Sequence, residues 1–151
     1  MKFKFFPAII FMLAFSACSK NNSSSTPQVT MKSITPNPVS QGNVITVDAK
    51  FTDKAGDLDS VLVVYKWYNN ATVTFNDTLR FNLAGLNLPL ATKLGDIILQ
   101  FAYGQFLNNY VLLPGSPVAS DTTATFGLVL IDQAGHRSGY AESGKIRLLN
   151  H

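Results

Sequence analysis

Between Asn43 and Asp53 the side chains alternate without a break: Ile45, Val47, Ala49 and Phe51 are apolar, and Thr46, Asp48, Lys50 and Thr52 between them are polar. A period of two belongs to a β-strand with one dry face and one wet face. Such a strand has to be covered by a second apolar surface, and the rest of the chain supplies it in the same form. Ser60 to Tyr68 is β-branched and aromatic, bounded by Gly56-Asp57 and Asn69-Asn70, with Val61, Val63, Tyr65 and Trp67 on its more apolar face. Thr72 to Leu83 alternates through Val73, Phe75, Leu79, Phe81 and Leu83, with Asn76-Asp77 read as a kink or turn. Val29 to Ile34, Asp96 to Tyr103, Tyr110 to Leu113, Thr122 to Asp132 and Lys145 to Leu149 complete a set of about eight short strands, the spacing of a sandwich or barrel. Only Leu83 to Leu94 has leucines at helical spacing; Gly85 and Pro89 interrupt them, and the segment reads as a loop.

The first residues follow a different logic. MKFKFFPAIIFMLAFSAC places Lys2 and Lys4 before an apolar run from Phe5 to Phe15 and then the small residues Ser16 and Ala17. That order is a secretory signal, too short to span a bilayer comfortably as a helix. Phe15-Ser16-Ala17-Cys18 resembles the bacterial lipobox, with Phe15 where Leu is usual. The resemblance implies removal of residues 1–17 and lipidation of Cys18, the single cysteine of the chain. The alternative is an ordinary signal peptide that leaves Cys18 as a free thiol, which is awkward in an oxidising compartment. With Cys18 lipidated, no thiol remains for a disulfide or a thiolate metal site, so stability rests on core packing. Ser19 to Gln28, SKNNSSSTPQ, has nothing to bury and reads, with Cys18, as a flexible tether over 18–28. Residues 29–151 then form one domain, without an internal repeat.

Charge excludes one class of partner. Of twelve Lys and Arg, Lys2 and Lys4 leave with the signal, so ten face nine Asp and Glu. Lys66, Arg80, Lys93, Arg137, Lys145 and Arg147 stand singly, and nothing forms a basic patch for nucleic acid.

Two segments carry a further likeness. Phe51-Thr52-Asp53-Lys54-Ala55-Gly56-Asp57 resembles the F-x-D-x-x-G-D segment of immunoglobulin-like domains in Bacteroidota lipoproteins, and Asp132-Gln133-Ala134-Gly135-His136-Arg137-Ser138 is similar to the D-x-A-G-N-x-S turn that closes them, with His136 where Asn is commoner. The resemblance implies an all-β, immunoglobulin-like, two-sheet antiparallel sandwich of seven to eight strands, exposed in the envelope, and no reaction. That topology brings the loop after the second strand and the loop before the last strand to one end. Asp53, Asp57 and Asp59 then approach Asp132. Acidic oxygens from two loops suit calcium, although the spacing is not that of an EF-hand. The competing reading is turn chemistry: the aspartates accept backbone N–H bonds while Gly56 and Gly135 supply left-handed conformations.

Among the aromatic residues, Trp67 on a central strand reads as core, and Tyr68, of opposite parity, as the exposed ring for a contact. Tyr103, Phe106 and Tyr110 flank Gly104 and Asn108-Asn109 in a loop. Catalysis has little to draw on. His136 and His151 are the only histidines, and Glu142, the sole glutamate, needs an aspartate some 5 to 10 Å away for glycosidase chemistry. There is no phosphate loop, HExxH or zinc spacing. The expectation is a membrane-anchored envelope lipoprotein, non-catalytic and without cofactor beyond the calcium candidate, binding a protein or polysaccharide. The alternative is a small hydrolase using Asp and Glu carboxylates. Ser19-Lys20-Asn21-Asn22 lacks the acidic part of a surface-export signal, which favours the periplasmic side of the outer membrane.

Overall fold

The computed structural model describes residues 26–83 and 92–150. The signal, Cys18, most of the tether, the centre of the Leu83–Leu94 loop and His151 lie outside these residues. The described chain is all strand: β1 (Gln28–Thr35), β2 (Val39–Ser40), β3 (Val44–Thr52), β4 (Leu58–Asn69), β5 (Thr72–Asn82), β6 (Leu94–Tyr103), β7 (Val111–Leu113), β8 (Thr122–Asp132), β9 (Ala141–Glu142) and β10 (Ile146–Leu149). No helix among the described residues is long and apolar enough to cross a membrane. Eight of the ten strands are those read from periodicity; β2 and β9, two residues each, are too short to show any.

The strands form a four-stranded sheet, β1-β3-β6-β7, and a six-stranded sheet, β2-β10-β8-β4-β5 with β9 on β8. Pairing is antiparallel except at β2–β10 and β6–β7, two short edge pairings that run parallel. The inner faces of the two sheets share one core. Ile45, Val47 and Phe101 come from the smaller sheet, and Val63, Trp67, Phe126 and Leu128 from the larger. The rings of Phe101 and Phe126 stack across the core at 6.2 Å, and Tyr103 meets Trp67 edge-on at 6.0 Å. Aromatic pairs of this kind contribute about 0.5–1.5 kcal/mol each beyond their burial. The indole N–H of Trp67 donates to the Pro114 carbonyl at 3.2 Å, so its one polar atom is satisfied inside.

One expectation about a strand is overturned. Asn76-Asp77 does not turn the chain: β5 runs straight through it, paired with β4 from Asn82 to Thr72. Asp77 shares parity with Phe75 and Leu79. Its carboxylate accepts from the Tyr65 hydroxyl at 3.1 Å and from the Thr78 N–H at 2.7 Å, which holds it in the strand. Burial and this carboxylate push the Tyr65 hydroxyl up to about 12, so it stays a donor.

Pairing also orients the molecule. β1 begins at Gln28 opposite Thr52, and Thr52 lies opposite Leu94, at the end that carries the aspartate loops. Val44, Ala102 and Leu112 lie level with one another toward the far end, with Gly104 to Tyr110 beyond them.

Candidate functional site

At the aspartate end the two loops do meet. Leu58 pairs with Asp132, and the Gln133 N–H donates to the Asp57 carbonyl at 2.9 Å. Asp53 is buried; its two carboxylate oxygens accept from the N–H groups of Ala55 at 3.3 Å and Asp57 at 2.9 Å. Asp132, also buried, accepts from the His136 N–H and sits 2.8 Å from His136 Nδ1. Gly56 at φ 71° and Gly135 at φ 85° make the left-handed corners that aim those N–H groups inward. These are the bonds of the turn reading. Asp59 leaves the cluster and pairs with Arg80 at 3.2 Å, so the four carboxylates do not converge. Among the described residues, no three or more His, Cys, Asp or Glu side chains are arranged to hold a metal ion.

Electrostatics sets Asp132 and Asp57 apart. Burial alone would raise the Asp132 carboxyl, but the His136 side chain, its N–H and its charge outweigh burial and hold the group below the usual carboxylate range. Asp57 is the opposite case. Burial first, then the charges of Asp53 and Asp132, push it up, and one of its oxygens is shut from solvent without a partner among the described residues.

A second polar cluster lies on the outer face of the larger sheet, and its members are far apart in sequence. One Glu142 oxygen accepts from Lys66 Nζ at 2.9 Å, from the Thr125 hydroxyl at 2.8 Å and from the Tyr140 hydroxyl at 3.1 Å. Lys66, the first cause, and the two hydroxyls hold the Glu142 carboxyl low against the effect of burial, and the same pair raises Lys66. Tyr140 lies across Gly127 of β8, where a Cβ would overlap its ring, and Lys66 Nζ stands 5.2 Å from the ring centroid. Tyr68 is half-buried on the same face. Lys145 Nζ caps its ring at 4.2 Å, and its hydroxyl meets Thr125 at 3.2 Å. The groups hydrogen-bonded to Glu142 are thus a lysine and two hydroxyls, with no aspartate among them. Sequence reading missed this cluster; the usable signal was that Lys66 and Tyr68 share the wet parity of β4.

Between β1 and the β9–β10 segment runs a groove of about 310 Å³, lined by Met31, Ile34 and Ile146 together with Asn37, Ser143 and Lys145. Its polar groups are turned to neighbours. The Ser143 hydroxyl donates to the Gly144 carbonyl and accepts from the Phe126 N–H, and Asn37 accepts from the Arg147 N–H. Besides Tyr140, the large apolar side chains left exposed among the described residues are Val73 on β5, Leu94 and Ile98 on β6, Phe106 in the β6–β7 loop at 68%, and Val111 and Leu112 on β7; the last three lie together in the far half of the smaller sheet.

No family model matches the sequence, and no curated protein matches it. Among solved structures, a DUF4466 family protein from Parabacteroides merdae aligns over 83% of this chain and 44% of its own, at 13% identity and a TM-score of 0.49. Spo0M, a sporulation control protein from Bacillus subtilis, aligns over 83% of this chain and 50% of its own, at 11% identity and a TM-score of 0.44. The chain therefore spans half or less of the length of these two structures.

Proposed function

We propose that this chain is an envelope lipoprotein, anchored to the outer membrane through Cys18, whose immunoglobulin-like sandwich is a non-catalytic binding module for a protein or polysaccharide on the periplasmic side. The strand order supports the immunoglobulin-like part: β1, β3 and β6 take the places of strands A, B and E, β4, β8 and β10 those of C, F and G, and β5 stands beside β4 as an added strand does in variable-type domains. Trp67 lies buried on β4 against Phe126 of β8, where antibody domains keep a Trp beside their disulfide.

One observation carries the binding role. Charged and hydroxyl groups in both polar clusters mostly bond to one another, whereas large apolar side chains stay exposed on the smaller sheet, at Leu94 and Ile98 of β6 and at Phe106, Val111 and Leu112, the last three grouped in the half opposite the start of β1. A tether joined at Gln28 holds the aspartate end toward the membrane and leaves that apolar half free to meet a partner. Replacing Cys18 by Ala and following the protein in membrane and soluble fractions, with a fatty-acid analogue as label, tests the anchor. The expected result is release and loss of label; unchanged sedimentation with membranes overturns it.

A further inference from the structure

Five of the lysines and arginines among the described residues are engaged. Lys32 bridges Asp48 and Asp96, Lys66 meets Glu142, Arg80 meets Asp59, Arg147 meets Asp121, and Lys145 stands over the Tyr68 ring. The side chains of the other four, Lys50, Lys54, Lys93 and Arg137, are exposed and make no ion pair, side-chain hydrogen bond or ring contact among the described residues. Scattered in sequence, these four are gathered by the fold at the aspartate end. Lys54 follows Asp53, whose N–H donates to the Lys93 carbonyl at 2.7 Å, so the two lysine-bearing segments lie together. Arg137 bridges Ile131, the residue before Asp132, and Asp132 pairs with Leu58. Lys50 lies on β3 just before Thr52, the level at which β1 begins.

The carboxylates of this end are turned the other way. Asp53 and Asp132 are buried and bonded to loop N–H groups, one Asp57 oxygen is shut from solvent, and Asp59 is held by Arg80. Counted with them, the end is close to neutral. What differs is depth: the unpaired cations stand outermost and the carboxylates lie beneath them, so the end presents a positive outer layer. Leu94, next to Lys93, adds an exposed apolar side chain to that layer. The far end has no counterpart, since Gly104 to Ser120 carries no charged residue. We infer that the aspartate end is a membrane-contact surface, which Lys50, Lys54, Lys93 and Arg137 rest on anionic phospholipid headgroups. This deepens the anchored orientation proposed above and rests on it.

The tether names the occupant. It joins at Gln28, opposite Thr52 at this same end, and the chain from Cys18 to Gln28 reaches at most about 35 Å. A lipid on Cys18 therefore keeps the start of β1 within that distance of the bilayer. Each lysine or arginine brought to an anionic lipid surface favours contact roughly fivefold, an effect that fades beyond about 10 Å at moderate salt. For a chain free in solution, four such factors leave binding only near the roughly millimolar range. A tethered domain already has an effective concentration of about that order at the surface, so the same factors decide which of its faces rests on lipid. A single soluble anion would need donors converging on one point. These cations come from both sheets, Lys50 and Lys93 with β3 and β6 and Arg137 beside β8, as a flat anionic surface allows.

Protein purified from cells that export it is inserted into preformed vesicles of phosphatidylcholine alone, or of phosphatidylcholine with phosphatidylglycerol, and treated with a water-soluble amine-acylating reagent. Modification is read lysine by lysine by peptide mass spectrometry. Flotation with the neutral vesicles reports the anchor by itself. On the anionic vesicles Lys50, Lys54 and Lys93 should react more slowly than on the neutral ones by about threefold or more, Lys145 should react equally on both, and salt at about 0.5 M should erase the difference. A variant combining Lys54→Gln, Lys93→Gln and Arg137→Gln should still float, while Lys50 loses most of its protection. Equal rates at Lys50, Lys54 and Lys93 on the two vesicles, equal slowing at Lys145, or full protection of Lys50 in the combined variant overturns the contact surface. Millimolar inorganic phosphate that gives the same protection on neutral vesicles assigns the cations to a soluble anion and also overturns it. Failure to float with neutral vesicles overturns the anchor and the contact surface with it, whereas flotation with unchanged lysine rates overturns the contact surface alone.

Discussion

Glu142 shows how one side chain can decide where a segment lies. Its carboxylate gathers donors from β4, β8 and the approach to β9, and so pins the short β9 to the outer face of β8. Because its folded-state pKa is depressed, the stability it contributes is present above the ordinary glutamate value, near 4.5, and is lost as pH falls through the lower folded value. Asp132 acts in the same direction from a starting value of 3.8, while Asp57, whose pKa is raised, binds its proton more tightly when folded and partly offsets the loss. Denaturant melts at pH 7 and pH 3 should show the wild-type chain less stable at pH 3, and Glu142→Gln should narrow that difference. An equal difference in the variant would remove Glu142 from the acid response. Asp132→Ala should cost about 1–3 kcal/mol by stranding the buried donors around it. Millimolar calcium should leave the thermal midpoint in place, whereas a site at a hundredfold excess over its dissociation constant would add about 2.7 kcal/mol. The loop aspartates were legible in sequence because Asp-Gly turn chemistry is local. Glu142 was not, because Lys66, Thr125 and Tyr140 reach it only through the sheet.

Among the elements, β8 is buried on both faces although its sequence alternates on only one. Phe126, Leu128 and Leu130 fill the core, while Thr125 and Gly127 on the other face are covered by the segment that ends in β9. A glycine inside a strand normally weakens it, but here its missing side chain is the seat of the Tyr140 ring. Gly127→Ala should therefore destabilise by about 1–3 kcal/mol through overpacking instead of gaining strand propensity. Adding Tyr140→Ala should make the alanine at 127 harmless or favourable; strictly additive costs in that cycle would detach the ring from the glycine. In the core, Trp67→Ala and Phe126→Ala should each cost about 3–5 kcal/mol, from lost burial plus a cavity, read as a drop in denaturant midpoint at unchanged slope. The register of β3 and β4 could be read ahead of the structure because one face is dry, and slipping by one residue would reverse it. Asn76-Asp77 misled for the opposite reason: the pair is good turn chemistry, and only the Tyr65 hydroxyl across the strand shows why it stays extended.

At the scale of the whole molecule, the chain combines a leader that resembles a lipoprotein signal, a polar segment after it and a sandwich whose first strand begins at the end opposite Phe106, Val111 and Leu112. All-β class and eight strands were legible because alternation is a local record of burial. The two sheets' edges were not, since which strands lie outermost becomes visible only when pairing is fixed. In the proposed reading an anchor at Cys18 gives this geometry a near end and a far end, and the mass of the mature amino-terminal peptide tests that anchor most directly. After digestion of protein from the membrane fraction, that peptide should begin at Cys18 and carry the mass of a thioether-linked diacylglyceryl group. A peptide that begins elsewhere, or Cys18 recovered as a free thiol, would contradict the anchor and the orientation that follows from it.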